Sequence, residues 1–294
     1  MFFQETQSAE NYSGTLNTLP LSVPFSLDLT LQSGQFFQWS RSEPGYIIQT
    51  GRKLFYLEQQ DESLRYLSLH GEVSDAYLRY FCRLEDDLPG IFERWSNDPL
   101  LRKVYHRYRG LRIIRQEPWE CTLSYLCSMA SNIPRITGNL RTLAREYGSS
   151  VVIRDNTYFL LPTPDQLKRV TLEDLYDAGL GFRSRYIHAI VPRIGQDVDF
   201  DQLSELTYPA AQTCLTGFQG IGEKVADCIQ LFSLGNLEAF PTDTWIRKVL
   251  YRHYFPKEIQ SDTKLARLAR ERFGPGAGYA QQYLFHAARE GYIL

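Results

Sequence analysis

The chain has 294 residues, 43% hydrophobic and 14% aromatic, with 32 Lys/Arg against 34 Asp/Glu. That length and apolar content imply two or three subdomains around packed cores and exclude a disordered chain. Its five cysteines (82, 121, 127, 214 and 228) form no CxxC pair and no Cys/His set with zinc spacing, which argues against a structural zinc site. An odd count with no basic-then-apolar leader points to free thiols in a reducing, intracellular setting, and no apolar run approaches the ~20 residues that span a bilayer.

The near-neutral total hides an asymmetry. Residues 1–100 carry 7 Lys/Arg against 14 Asp/Glu, whereas 101–294 carry 25 against 20. A polyanionic partner rewards local cationic surface, so the later part is the candidate face for one, although plain solvated surface explains the asymmetry nearly as well.

Residues 1–20 are rich in Ser, Asn and Thr and are expected to form a loosely tethered arm. Residues 21–98 are expected to hold a β-sheet domain and the first helices. Phe25-Ser-Leu-Asp-Leu-Thr-Leu alternates with period two. Short aromatic-rich runs follow over 35–39, 46–50, 53–57 and 64–69, broken at Ser33-Gly34, Pro44-Gly45, Gly51 and Asp61-Glu62. This predicts a small antiparallel sheet.

From Ser74 the pattern is helical, with helices predicted over 74–81, 89–97, 99–109, 118–130, 133–147, 164–170, 171–178, 182–191, 200–206, 209–215, 224–234, 243–254, 261–273 and 279–290. Residues 151–161 interrupt them as a hairpin turning at Asp155-Asn156. The expected class is α+β: a small N-terminal antiparallel sheet, then a mostly helical, two-lobed body over 99–294 with a pocket between its lobes.

Within that body, Gly217-Phe-Gln-Gly-Ile-Gly-Glu-Lys places three glycines in six residues. They cannot sit inside a stable helix but can make a tight hairpin whose amides, Gly220 and Gly222 among them, cradle a phosphate at the start of the next helix. Lys224 falls in the first turn of that helix, with Cys228 on the same face. An ordinary lysine, with a pKa of about 10.4, is almost wholly ammonium at pH 7. A helix N-terminus and a desolvated cleft both push toward the nucleophilic amine. Downstream, Pro241-Thr-Asp-Thr makes Asp243 a helix N-cap and a carboxylate able to take the amine's proton or steady a nearby cation. A plain DNA-binding module could use the same hairpin for phosphate alone.

The hairpin, Gly-Ile-Gly-x-Lys-Val-Ala-Asp-Cys and Pro-x-Asp together resemble the helix-hairpin-helix DNA glycosylase superfamily. Five further blocks resemble its 8-oxoguanine branch: Ser33-Gly-Gln-Phe-Phe-Gln-Trp, the run from Asp98 to Cys121, Ser131-Asn-Ile-Pro-Arg-Ile-Thr-Gly, Gly179-Leu-Gly-Phe-Arg-Ser-Arg-Tyr, and the terminal run from Phe273 to Phe285. The resemblance covers residues 25–290. It implies a bifunctional glycosylase and abasic-site lyase of DNA base-excision repair, with Lys224 as Schiff-base nucleophile and Asp243 as essential carboxylate.

Gln281 and Phe285, four apart on the last helix, project an amide and a ring from one face. By resemblance they hold the flipped lesion, with Cys228 opposite and Phe232 beside the pocket. Oxidation at C8 turns N7 from an acceptor into a donor, and by resemblance the Gly34 carbonyl accepts from it. Asn132, Arg135, Phe182 and Arg183 match positions that fill the gap and read the orphan base. Carbonyls of Thr216, Phe218 and Ile221 would hold a structural monovalent cation.

Neither a catalytic metal nor an organic cofactor is implied. The expected partner is duplex DNA containing 8-oxoguanine, bound by a monomer with no membrane. The chain departs from the eukaryotic pattern. Ala130 stands where an asparagine fills the vacated space, Trp245 where a histidine meets phosphate, and Phe232 where a methionine lines the pocket. These features lean toward a bacterial member working in cytoplasm or nucleoid. A sibling glycosylase for another damaged base is the alternative enzyme. The monofunctional siblings lack the lysine, and the iron–sulfur siblings need four C-terminal cysteines.

Overall fold

The structure, a computed structural model, describes residues 15–255 and 261–294. Residues 1–14 of the expected arm lie outside the described residues, but its last part is not an arm. Asn17–Pro20 is an edge strand, β1, of a five-stranded antiparallel sheet with β2 (Trp39–Ser42), β3 (Gly45–Thr50), β4 (Lys53–Gln60) and β5 (Ser63–His70), in the order β1-β5-β4-β3-β2. Sequence pattern alone did not flag β1, because it is only four residues long, ends in proline and buries Leu19 alone.

The run from Phe25 is a second correction. It forms a helix, α1 (Leu27–Gln32), whose Ser26 hydroxyl accepts the Leu29 amide. Leu27, Thr30 and Leu31 are its buried residues. A string with apolar residues at i, i+2 and i+4 satisfies a strand or one helix face, and here the Ser26 cap and Asp28 in the first turn favour the helix.

Period-two alternation builds two apolar layers on the sheet. Tyr46, Ile48, Phe55, Leu57, Leu64 and Tyr66 point to one side, where they pack with Leu27 and Leu31 and with Leu78 and Phe81 of α2 (Asp75–Phe81). Ile47, Leu54 and Tyr56 point to the other. That second face is covered by a hairpin, β6 (Ser149–Ile153) and β7 (Asn156–Leu160), through Tyr158, Val151 and Ile153. The hairpin turns one residue earlier than expected, at Arg154-Asp155, with Arg154 at φ +53° and Ile153 paired to Asn156.

The helical body follows. It runs α3 (Leu88–Glu93), α4 (Pro99–Arg107), α5 (Pro118–Cys127), α6 (Ile133–Tyr147), then α7 (Pro164–Leu167), α8 (Leu172–Asp177), α9 (Arg183–Ile190) and α10 (Phe200–Glu205). The last set is α11 (Tyr208–Thr216), α12 (Glu223–Ile229), α13 (Thr244–His253), α14 (Asp262–Phe273) and α15 (Ala277–Arg289). α15 is buried along most of its length and ties the two parts together. Its Tyr279 hydroxyl donates to Asp86 at 2.7 Å, Tyr283 to the Leu111 carbonyl at 3.0 Å, and Gln282 to the Ser33 carbonyl at 3.3 Å.

At the foot of α5 a buried carboxyl predicts an unusual pH response. Burial, with Glu117 beside it, pushes Glu120 up to about 8. Unfolding releases that proton wherever the pH lies between the ordinary carboxylate range and 8, so Glu120 subtracts stability as pH rises across that window. Glu120→Gln is therefore expected to stabilise the protein at pH 8, on the order of 3 kcal/mol, and to change little at pH 4. Denaturant unfolding at both pH values checks this. An equal effect at each would mean that the carboxyl is not held protonated.

Candidate active site

α11 ends at Thr216 and α12 begins at Glu223, so the glycine-rich segment is a helix-hairpin-helix turn as expected. Gly220 sits at φ +89°, and a Cβ there would run into the Tyr186 ring, so glycine is required on both counts. The turn is closed by the Ile221 amide donating to the Phe218 carbonyl at 3.0 Å, and Gly222 caps α12 in extended conformation.

Lys224 is the second residue of α12, and its side chain enters a cavity of about 720 Å³. Its Nζ donates to the Ser128 hydroxyl at 3.2 Å and lies 5.2 Å from the Tyr125 ring centroid. One turn on, Cys228 is buried in the same wall. Burial pushes its thiol up to about 12 despite the pull of the Lys224 charge, so it is a neutral thiol at physiological pH.

The expected single helix over 224–234 is not one. After Ile229 the chain widens into a π-helical turn, Gln230–Leu234, ending at Gly235 with φ +89°. Such turns shift every later side chain around the axis. Here Phe232 comes to lie over Tyr125, ring centroids 5.5 Å apart and 7° from parallel. The two rings form a flat apolar floor beneath Lys224.

Asp243 caps α13, its carboxylate accepting the Ile246 amide at 2.8 Å. It lines the cavity with Lys224. Burial raises its pKa, while the Ile246 amide and the Lys224 charge pull it back. Nucleophile and carboxylate candidates, 19 residues apart in sequence, thus share one concave site.

The opposite wall comes from α15 and the loop after α1. Gln281, 4% exposed, donates through Nε2 to the Pro241 carbonyl at 3.0 Å. Its Oε1 is buried with no donor among the described residues. Phe285 follows one turn on.

Facing them, Gly34 (φ +82°) is held from both sides. The Gln35 carbonyl accepts Gln116 at 2.7 Å and the Tyr125 hydroxyl at 3.0 Å. The buried Gln35 amide in turn meets the Arg112 carbonyl at 2.7 Å and the Ile114 amide at 2.8 Å. So dense a set of buried hydrogen bonds fixes the peptide before any ligand arrives.

The remaining expected residues lie at or beyond the rim. Asn132 lines the cavity and caps α6, accepting the Arg135 amide at 3.0 Å, and Arg135 itself is exposed. Trp245, 39% exposed, lines the mouth. Phe182 is 45% exposed.

Arg183 is set deeper than the others: it is 1% exposed, its guanidinium donates to the carbonyls of Met129 and of Ala130, the latter at 3.0 Å, and its Nε has no partner among the described residues. It braces the 129–132 loop, where Ala130 is held at φ +45°. Sequence reading missed Tyr125, Ser128 and Arg289, which also line the cavity. Only Arg289 left a signal: it continues the face of Gln281 and Phe285 by one more turn.

Comparison with known proteins places these features in one family. Residues 18–122 match the family model described as 8-oxoguanine DNA glycosylase, N-terminal domain. The chain is 28% identical to a protein named probable N-glycosylase/DNA lyase from Methanothermobacter thermautotrophicus, over 92% of this chain and 95% of that one. It is 29% identical to the N-glycosylase/DNA lyase OGG1 of Arabidopsis thaliana, over 94% and 81%. The fold superposes with a TM-score of 0.87 on Clostridium acetobutylicum 8-oxoguanine glycosylase/lyase, solved with duplex DNA containing cytosine opposite 8-oxoG. That match covers 95% of this chain and 99% of that one at 31% identity. With its helix-hairpin-helix turn leading into Lys224 and its capping Asp243 in the same cavity, the chain belongs to the 8-oxoguanine DNA glycosylase/lyase family.

Proposed function

We propose that this protein removes 8-oxoguanine from duplex DNA and then nicks the strand at the abasic site it has made. The observation that carries the reading is the convergence on one cavity of an amine, a carboxylate, an aromatic face and an unpaired amide oxygen. A flipped nucleotide would enter between Phe285 and Cys228, its Watson–Crick edge toward Gln281 and its N7–H toward the Gly34 carbonyl. Lys224 attacks the sugar C1′ as the bond to the base nitrogen breaks, and the amine's proton passes to a base. As a carboxylate, Asp243 steadies the positive charge on the sugar, and as the acidic side chain lining the cavity among the described residues it is the candidate for that proton.

The nitrogen's lone pair then expels O4′, which takes a proton as the sugar ring opens, and the resulting imine acidifies the 2′ proton, so that loss of that proton and of the 3′ phosphate nicks the strand. No step needs a metal or organic cofactor. The Gly220 and Gly222 amides grip backbone phosphate, and the carbonyls of Thr216, Phe218 and Ile221 suit a structural monovalent cation. Phe182 wedges into the stack, Asn132 and Arg135 meet the orphan base, Trp245 meets the flipped nucleotide's phosphate, and the enzyme acts as a monomer.

Borohydride trapping on a panel of lesion duplexes tests the reading. A covalent adduct is expected with 8-oxoguanine and not with undamaged guanine. No adduct on any duplex would leave a helix-hairpin-helix protein that binds DNA without chemistry, and an adduct only with another lesion would point to a sibling specificity.

Asp243→Asn separates charge from structure. The amide can still cap α13 through its oxygen, so the folded state should survive with little loss. Excision should fall by about 100-fold or more, because the neutral side chain neither takes a proton nor balances a cation. Single-turnover kinetics together with a thermal melt check both halves.

A further inference from the structure

Gln281, Phe285 and Arg289 succeed one another at four-residue spacing on α15, and all three line the cavity. The first two have parts in the reading above. Arg289 has none, yet it is the charged group set against Gly34. One arm of its guanidinium is engaged: Nη2 donates to the Gln32 carbonyl and lies 3.6 Å from the Glu290 carboxylate. The other arm is not. Nη1 is buried, has no acceptor among the described residues, and occupies the space that a Cβ on Gly34 would need. The Phe285 ring lies 5.9 Å from the guanidinium carbon. A buried cationic donor without an acceptor is costly, and a cavity that leaves one beside its rigid wall is matched to a ligand acceptor at that point.

The chemistry of the base narrows which acceptor. On an 8-oxopurine the two oxygens flanking N7 are O6 and O8. O6 belongs to the Watson–Crick edge, which Gln281 faces. Arg289 lies two turns, about 12 Å of helix rise, farther along α15 than Gln281, past the ring that stacks, with its free arm against Gly34. The acceptor on the side of N7 away from the Watson–Crick edge is O8.

We propose that Arg289 Nη1 donates a hydrogen bond to the C8 oxygen of the flipped base, so that this pocket senses both marks of the lesion. The Gly34 carbonyl detects the N7 proton, and Arg289 detects the oxygen next to it. Undamaged guanine offers neither. This rests on the placement of the base proposed above.

The test is a double-mutant cycle between the arginine and the oxygen. The full chain carrying Lys224→Gln, which leaves the base attached, is titrated with duplexes containing 8-oxoguanine or 8-thioguanine. The latter keeps N7–H and O6 but replaces O8 by sulfur, a weak acceptor. With Arg289 present, the oxygen duplex should bind about tenfold or more tighter than the sulfur duplex. With Arg289→Met added, that ratio should fall to about one.

A ratio unchanged by the substitution overturns the proposal and leaves Arg289 as a brace for the Gln32 turn, since bracing alone weakens both duplexes alike. Should the methionine variant not fold, Arg289→Lys decides. Its compact ammonium, with no planar fork to span both acceptors, should lower the ratio, and a ratio equal to the parent's overturns the proposal. If the parent itself binds 8-oxoguanine and guanine duplexes equally, the proposed function falls and this contact falls with it. Selective binding with an unchanged ratio removes this contact alone.

Discussion

Lys224→Gln is expected to eliminate the borohydride-trapped adduct and to lower excision of 8-oxoguanine by at least about 1,000-fold. Lys224 is the sole lysine lining the cavity among the described residues, so no second primary amine stands ready to replace it. The side chain also does little for the fold. Its partners are the Ser128 hydroxyl at 3.2 Å, the face of Tyr125 and the Cys228 thiol, neutral groups that a glutamine amide can also meet. The variant should therefore melt within a few degrees of the parent and still bind lesion duplexes. Measuring adduct, rate, melting and affinity together decides between the readings. An adduct that survives the substitution would place the nucleophile elsewhere and end the Schiff-base assignment to Lys224. Loss of both binding and folding would make Lys224 a structural cation.

The parts of the site that sequence reading found are those set by local chemistry. Three glycines ahead of Lys224 can only be a turn into a helix, and Pro-Thr-Asp-Thr can cap a helix wherever it lies. Neither inference needs to know what packs nearby. Gln281 and Phe285 were legible for the same reason, because four residues on a helix is a distance fixed by geometry.

What failed needed tertiary knowledge. The run from Phe25 fits a strand or a helix until the Ser26 cap decides. β1 exists only because β5 offers an edge for it. The π turn that swings Phe232 onto Tyr125 has no composition signal, and its partner lies 107 residues away.

Arg183 shows the limit most clearly. A motif match gives an arginine, but how deep its guanidinium sits, and which carbonyls of its own chain it meets, depend on the 129–132 loop. That loop also carries one departure from the eukaryotic pattern. Ala130 stands at φ +45°, a left-handed conformation that asparagine adopts more readily than alanine.

Gly34→Ala is expected to reduce excision of 8-oxoguanine by about 100-fold or more, with a much smaller loss, no more than about threefold, on a preformed abasic site, which offers no base to recognise. Two physical effects act at this position. The residue sits at φ +82°, where a Cβ is strained, at a cost of about 1 kcal/mol. The added methyl would also lie 2.9 Å from Ile133 Cδ1 and 3.3 Å from Phe285 Cε1, and would overlap Nη1 of Arg289.

Ile133 can turn its terminal methyl aside, but the other two neighbours cannot yield without disturbing the pocket. Arg289 is anchored to the Gln32 carbonyl, and Phe285 lines the cavity as the ring proposed to stack on the base. The peptide cannot retreat either, because Gln116 and Tyr125 hold the Gln35 carbonyl from behind. The alanine variant must therefore move the Gly34 carbonyl, the arginine or the ring, and each is assigned to the base and none to the sugar. If base excision and abasic-site cleavage fell by the same factor, Gly34 would be acting on folding alone. The wall that distinguishes a proton at N7 would then have to lie elsewhere in the cavity.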